Sequence, residues 1–302
     1  MIKVTFLGTS GSAPTKDRGL PSVAVTYEGD TLLFDCGEGA QRQMLNYGIN
    51  ISRIKSIFIT HMHGDHVIGV AGLVRTLALN HRTEPLNIFV PKGSEKGVAA
   101  LMLFDNALIN YPVIINGVSA GIVYKGKGFV VRAFTLKHTV KTYGYSLAED
   151  DRMRFDTEKC RRYGINGTMF STLLKNKQIR VGRKTVRLDE VAHKVKGLKI
   201  VYSTDTRPVA STVAESKDAD LLIHEASFGE QLKRLAAERM HSTAAEAAQI
   251  AKKARVKELV LFHMSARYRN ADVLQDEARR IFKNTVVAKD GMQIILGGKK
   301  GP

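Results

Sequence analysis

The chain has 302 residues, 44% of them hydrophobic and 25% charged, with two cysteines and a formal net charge of +17. This is the composition of a soluble globular protein, long enough for one large domain or two ordinary ones. It excludes a membrane span, because no run of 18 apolar residues occurs. Cys36 and Cys160 are far apart and fit a reducing compartment better than a disulfide framework. The start, MIKVTFLGTS, lacks a basic segment followed by an apolar one, so no signal peptide and a cytoplasmic location are expected.

In chain order, IKVTFLG, VAVTYEG and TLLFDCG read as strands, with YEGD as the hairpin signal between the last two. Residues 38–48 read as a helix. IKSIFIT, residues 54–60, is a buried strand that runs into HMHGDH, and VIGVAGLVRTLAL then has helical periodicity. NIFVP, IVYKG and FVVRAFTLKH are further strands. LKIVYSTD ends on Asp205, DADLLIHEAS near His224 and Glu225, and ELVLFH on His263. STAAEAAQIAKKA is a helix with Ser242 or Thr243 as N-cap. No low-complexity tract, short repeat or interdomain linker interrupts the pattern. The one break is near residues 150–187, which read as an excursion from a single domain spanning 1–302.

That break is strongly basic. Residues 152–187 hold eleven Lys or Arg against two Asp or Glu, about half the net charge in roughly an eighth of the chain. A basic balance implies an acidic partner, nucleic acid before a membrane surface, and a concentrated patch is an electrostatic footprint where scattered lysines would be only a solvated surface.

HMHGDH places three histidines and an aspartate in six positions. The possible ligands sit where strands end: His61, His63, Asp65 and His66, then His138, Asp205 and His263. Strand ends that converge on one rim gather residues distant in sequence into one site. Neutral imidazoles and carboxylates are zinc ligands. Seven groups are too many for one tetrahedral ion; two ions sharing Asp205 would use them all and leave positions for water and substrate. A surface histidine cluster is the competing reading for HMHGDH alone, and the downstream set makes it untenable.

H-x-H-x-D-H after a strand, followed by His, Asp and His at later strand ends, resembles the metallo-β-lactamase superfamily. That resemblance implies an α/β fold, a four-layer αββα sandwich of two similar halves, but no substrate. FLGTSGSAPTKDR, LLFDCGEGAQRQML, KHTVKTYGYSLAEDDR, YSTDTRP, HEAS, HSTAAEAA and HMSARY occur in the order seen in the ribonuclease Z family, endonucleases that trim the 3′ end of precursor tRNA. The likeness spans nearly the whole chain. It implies an inserted, flexible arm that grips the tRNA body, and the basic segment lies in that interval, with Arg161, Arg162, Lys175 and Lys177 as expected RNA contacts. It also implies a homodimer in which one subunit's arm serves the other's active site. No membrane partner and no nucleotide cofactor are expected. The chain departs from the family pattern at Gly167-Thr168, where Gly-Pro is expected in the arm, at Ala40 in GEGAQ, where Thr is frequent, and at Ser227 in HEAS, where Thr is usual.

The resemblance assigns His61, His63 and His138 to one zinc and Asp65, His66 and His263 to the other, two zinc ions per subunit, with Asp205 bridging. H-x-H-x-D-H resembles the zinc pattern more than the iron one; manganese and iron remain alternatives. Two metals would supply a nucleophile and neutralise charge on the phosphate, with Asp65 orienting or deprotonating the attacking water. His241, oriented by Glu225, is the implied proton donor to the ribose 3′ oxygen. Spacing alone would not find that pair. The products would be a tRNA 3′-hydroxyl and a trailer with a 5′-phosphate.

Ser265, Arg267 and Tyr268 follow a ligand and are candidate substrate contacts, with surface packing as the alternative. Asp35 reads as a hydrogen-bonding brace for the metal loop, or as a plain turn aspartate. His81 and His193 read as surface histidines and Cys36 as a small buried residue. Two other functions fit the metal motifs: a phosphodiesterase acting on small esters, and a non-catalytic RNA-binding protein.

Overall fold

The computed structural model describes residues 1–103 and 109–297. Its secondary structure is organised by two seven-stranded sheets. The first runs Gln293–Leu296, Ile2–Gly8, Ser22–Tyr27, Asp30–Phe34, Ile54–Phe58, Leu86–Pro91, Val113–Val118. The second runs Thr285–Val287, Leu259–Phe262, Leu221–Glu225, Lys199–Ser203, Tyr143–Glu149, Phe129–Thr135, Gly121–Gly126.

The sheets face each other through aromatic side chains. Phe6 meets Phe262 with ring centroids 6.1 Å apart, Phe34 meets Tyr202 at 5.9 Å, and Phe58 meets Tyr145 at 5.4 Å. The outer faces are covered by helices. Val70, Leu73, Val74 and Leu77 of Gly69–Leu79 pack with Leu33, Ile57 and Ile88. Ala247, Ala248 and Ala251 of Ala244–Ala254 pack with Leu222, Leu259 and Leu261. Alanines let that helix approach its sheet closely. Helix, sheet, sheet, helix is the αββα sandwich expected from the resemblance. No helix among the described residues is long and apolar enough to cross a membrane.

Local chemistry explains the element ends. Thr243 is the N-cap of Ala244–Ala254 and forms a capping box with Glu246, in which the Glu246 N–H donates to Thr243 Oγ1 at 3.2 Å and the Thr243 N–H to Glu246 Oε2 at 2.9 Å. Of the two N-cap candidates Thr243 takes the position; the Ser242 hydroxyl instead donates to the Thr206 carbonyl at 2.6 Å. The helix expected over 38–48 forms over Ala40–Asn46.

The chain divides into two compact units, Met1–Leu147 with Lys199–Pro302, and Ala148–Leu198. The smaller unit extends past the 150–187 boundary because Arg152–Phe155 pairs antiparallel with Ala192–Val195. It carries a second hairpin, Gln178–Val181 with Lys184–Arg187, and a small core of Cys160, Ile165, Leu173, Val186, Leu188 and Val191. At Gly167-Thr168, Gly167 has φ +48° and Thr168 begins the helix Met169–Asn176.

Candidate metal centre

The larger sheets deliver their strand ends to one rim. Ile54–Phe58 leads into His61 and His63, and the short helix Gly64–Val67 presents Asp65 and His66. Phe129–Thr135 leads to His138, Lys199–Ser203 to Asp205, and Leu259–Phe262 to His263. Asp35, Asp205 and His263 all have positive φ, 55°, 32° and 57°, which non-glycine residues adopt at a cost of roughly 1–3 kcal/mol each where surrounding structure enforces it. Gly11 is required beside His263: a Cβ there would lie 2.5 Å from the ring's Cε1.

The seven side chains form two sets. In the first, His61 Nε2 lies 3.1 Å from His63 Nδ1, and His138 Nε2 lies 3.3 Å from that same Nδ1. Asp205 Oδ2 is 3.6 Å from His61 Nε2 and 3.7 Å from His138 Nε2. In the second, His66 Nε2 and His263 Nε2 are 3.2 Å apart, with Asp65 Oδ2 at 3.5 and 3.6 Å from them. Asp205 Oδ1 completes this set, 3.3 Å from His66 Nε2 and 3.1 Å from His263 Nε2. The two oxygens of Asp205 thus face different sets.

This donor set fits metal ions. Four ligand atoms about 2.0–2.1 Å from a tetrahedral ion lie roughly 3.3–3.4 Å from one another, close to the separations in both sets. Imidazole nitrogens that converge on one point repel unless a cation or proton lies among them. The outer nitrogens are committed elsewhere: His61 Nδ1 to Thr60 Oγ1 at 3.0 Å, His66 Nδ1 to Asp35 at 2.8 Å, His138 Nδ1 to the Met240 carbonyl at 3.1 Å, and His263 Nδ1 to Ser227 Oγ at 3.0 Å. These partners orient each ring and leave its Nε2 for the centre.

The charges agree. Burial opposes ionisation of Asp205, but His263, His66 and His61 outweigh it and hold the carboxyl well below its usual range. Asp65 is likewise held low by His263 and His66 against the effect of burial. Burial disfavours positive charge on His66, yet Asp205 and Asp35 on either side raise it well above the ordinary histidine value. The same carboxylates attract a metal cation. His61, buried among other imidazoles, is pushed well down.

Beside the sets lies His241. Its Nδ1 is 2.9 Å from Glu225 Oε1, and its ring stacks on His263 with centroids 5.5 Å apart. Glu225 is fully buried and accepts the Thr206 N–H at 2.6 Å and the Ser227 hydroxyl at 2.8 Å. Burial works against a charge on His241, but the adjacent Glu225 carboxylate prevails and the ring is pushed up to about 9. Nδ1 is engaged by Glu225, so Nε2 is the ring nitrogen left for another partner. A cavity of about 580 Å³ opens over the site, lined by His63, Asp65, Asp205, Ser227, His241, His263 and Arg267 among others.

The expected substrate contacts are placed unevenly. Arg267 is exposed, 5.0 Å over the Phe228 ring, with Nε donating to Ser265 Oγ at 3.0 Å. Tyr268 is buried: its hydroxyl accepts the Gly229 N–H at 2.8 Å, and its carbonyl accepts from Arg18 at 2.7 Å, so it braces the loop. Arg161, Arg162, Lys175 and Lys177 are exposed in the smaller unit. Asp35 is a brace: buried, it accepts the Thr60 N–H at 2.8 Å, the Thr60 hydroxyl at 2.9 Å and the Tyr202 hydroxyl at 2.9 Å, besides His66. Exposed His81 and His193 lie outside the site. The sequence marks Ser227 only as a departure from the family pattern and does not single out Thr60, Tyr202 or Met240; the position of Thr60 directly before His61 is the one signal that could have pointed to it.

Comparison with known proteins agrees with this geometry. Residues 2–168 match the family model of the Anti-Pycsar protein Apyc1, and residues 164–264 match the beta-lactamase superfamily domain. The chain is 42% identical to Ribonuclease Z of Archaeoglobus fulgidus, covering 97% of both chains. It is 41% identical to Ribonuclease Z of Gemmatimonas aurantiaca, covering 98% of this chain and 96% of the relative. The crystal structure of human tRNase Z, short form, superposes with a TM-score of 0.73 at 28% identity, covering 97% of this chain and 99% of that one. With two sets of metal-binding donors on the rim of an αββα sandwich and this identity along its whole length, the chain belongs to the ribonuclease Z family.

Proposed function

We propose that this protein is a zinc-dependent endoribonuclease that removes 3′ trailers from precursor tRNA. The observation that carries it is the pair of donor sets sharing Asp205, with His241 and Glu225 beside them, in a chain about 40% identical to ribonucleases Z throughout. His61, His63, His138 and Asp205 would hold one zinc; Asp65, His66, His263 and Asp205 would hold a second. Zinc bound there would lower the pKa of water and neutralise charge on the phosphate.

The chain's own groups do the rest. Asp65, kept ionised, orients the attacking water; its Oδ2 is itself held by the Ser12 N–H at 2.8 Å. The P–O3′ bond breaks, the phosphate stays with the trailer, and the departing 3′ oxygen takes the proton on His241 Nε2. Glu225 keeps that ring charged and aimed. Arg267 and Ser265 at the cavity mouth contact the RNA backbone, with Tyr268 supporting their loop. The smaller unit acts as a flexible arm, Arg161, Arg162, Lys175 and Lys177 meeting phosphates of the tRNA body. The protein works in the cytoplasm as a homodimer.

The test is cleavage of a tRNA carrying a short 3′ trailer, with product ends mapped. A cut leaving a tRNA 3′-hydroxyl, lost in His63→Ala, supports the reading. Hydrolysis of small diesters by folded, zinc-loaded protein that leaves the tRNA intact would replace it with a small-ester phosphodiesterase; tRNA binding without any turnover would leave an RNA-binding protein.

A further inference from the structure

Arg207 lies two residues past the shared carboxylate of Asp205, its side chain turned inward and only 18% exposed. Nη1 donates to the carbonyl oxygen of His241 and, at 2.9 Å, to Glu246 Oε2, while Nη2 donates to Glu246 Oε1 at 2.5 Å. This is a bidentate fork with a third, backbone, acceptor. The Glu246 end is fixed, because its carboxylate also closes the capping box of Ala244–Ala254 by accepting the Thr243 N–H.

The neighbouring backbone ties in the other parts of the site. The Thr206 N–H donates to Glu225 Oε1, the Thr206 carbonyl accepts from Ser242 Oγ at 2.6 Å, and the Arg207 N–H donates to the Lys137 carbonyl at 2.9 Å, next to His138. One short segment therefore contacts the stretch bearing His241, the partner of His241, and the stretch bearing a metal-set histidine.

His241 needs such a hold. It follows the helix Lys233–Glu238 through a turn in which the Met240 N–H donates to the Ala237 carbonyl at 3.2 Å and the His241 N–H to the Ala236 carbonyl at 2.8 Å. This Schellman arrangement ordinarily has glycine where Met240 stands, and Met240 has φ +59°. A helix end closed on a strained residue is a weak base for a group whose position must be accurate to a fraction of an ångström. The fork on the His241 carbonyl anchors it from the other side.

We propose that Arg207 is a positioning residue for proton delivery: it clamps the His241 backbone to the Glu246 helix cap and so keeps the imidazole over the departing oxygen. This rests on the assignment of His241 as the proton donor. Lysine would replace it only in part, because a point charge cannot serve both Glu246 oxygens and the carbonyl in one plane.

The test compares two substrates. Trailer-bearing tRNA loses a ribose oxygen that must be protonated; bis(p-nitrophenyl) phosphate loses a phenolate that leaves without a proton. His241→Ala should lower the ratio of kcat on tRNA to kcat on the nitrophenyl diester. Arg207→Ala should lower the same ratio by about tenfold to a hundredfold, the upper end being the loss for misplacing a reacting group by ~1 Å, with KM for tRNA little changed and zinc content retained. Arg207→Lys should recover part of the loss, and the double variant should be no slower on tRNA than His241→Ala alone. If His241→Ala lowers the ratio and Arg207→Ala slows both substrates equally, or the two losses multiply, Arg207 is merely structural and the inference is wrong. If His241→Ala leaves the ratio unchanged, the donor assignment itself fails and the role of Arg207 falls with it. Should Arg207→Ala not fold, Glu246→Gln, which keeps the cap but weakens the fork, is read in the same way.

Discussion

The hydroxyl of Tyr202 donates to Asp35 Oδ2 at 2.9 Å, joining the two sheets directly behind the metal-set residue His66, which meets the same oxygen at 2.8 Å. Removing the hydroxyl leaves a buried carboxylate with fewer donors. Tyr202→Phe is expected to cost about 1.5–3 kcal/mol, the range for a hydrogen bond to a charged group. Asp35→Asn should in addition weaken zinc binding about 10–100-fold, because it no longer accepts from His66 in the same way. Denaturant unfolding and zinc titration of both variants check this.

The split of Asp205 between the two donor sets has a measurable consequence. Asp205→Ala takes one oxygen from each set and should strip both ions, whereas His63→Ala removes a nitrogen from the first set alone and should retain the ion held by Asp65, His66 and His263. Metal analysis after gel filtration separates the cases. A chelator should abolish tRNA cleavage by the wild type and zinc should restore it; equal metal loss in both variants would contradict two separable sites.

Ser227 links two functions through one hydroxyl. It donates to Glu225 at 2.8 Å and accepts from His263 Nδ1 at 3.0 Å. Ser227→Ala should therefore lower kcat on tRNA and also weaken zinc binding, about tenfold or more in affinity for loss of such a ligand partner. Ser227→Thr, which keeps the hydroxyl, should restore both. Kinetics and zinc affinity measured on the same preparations decide it.

The smaller unit concentrates cations on exposed positions. Replacing Arg161, Arg162, Lys175 and Lys177 together by alanine should weaken tRNA binding and flatten its salt dependence, each lost phosphate contact reducing the slope of log K against log salt by about 0.9. Filter binding across a salt series provides the slope. An unchanged slope would place the RNA elsewhere.

Much of the centre was legible in the sequence because metal ligation at strand ends leaves a dense, local signature. HMHGDH is one loop, and His138, Asp205 and His263 each end a recognisable apolar run. The cap of the helix Ala244–Ala254 was legible only as Ser242 or Thr243, and the box with Glu246 three residues on decides for Thr243. His241 and Glu225 were reached only through family resemblance: they meet by the packing of a helix end on a strand end, which no spacing rule encodes. Arg207, Ser227 and Tyr202 were less visible still. Each acts through a partner that packing alone brings near, Glu246, His263 and Asp35. The sequence does not show the return strand Ala192–Val195, because its partner, Arg152–Phe155, is distant in the chain and each is only four residues long.

Positive φ at Asp35, Asp205, His263 and Met240 also bears on how this protein can be improved. At the first three, a glycine would relax the chain and delete the side chain that the centre needs, so evolution and engineering alike meet a fixed toll there. Met240 differs, because the site uses only its carbonyl. Of the four strained positions, it is the one at which thermostability could rise without touching chemistry.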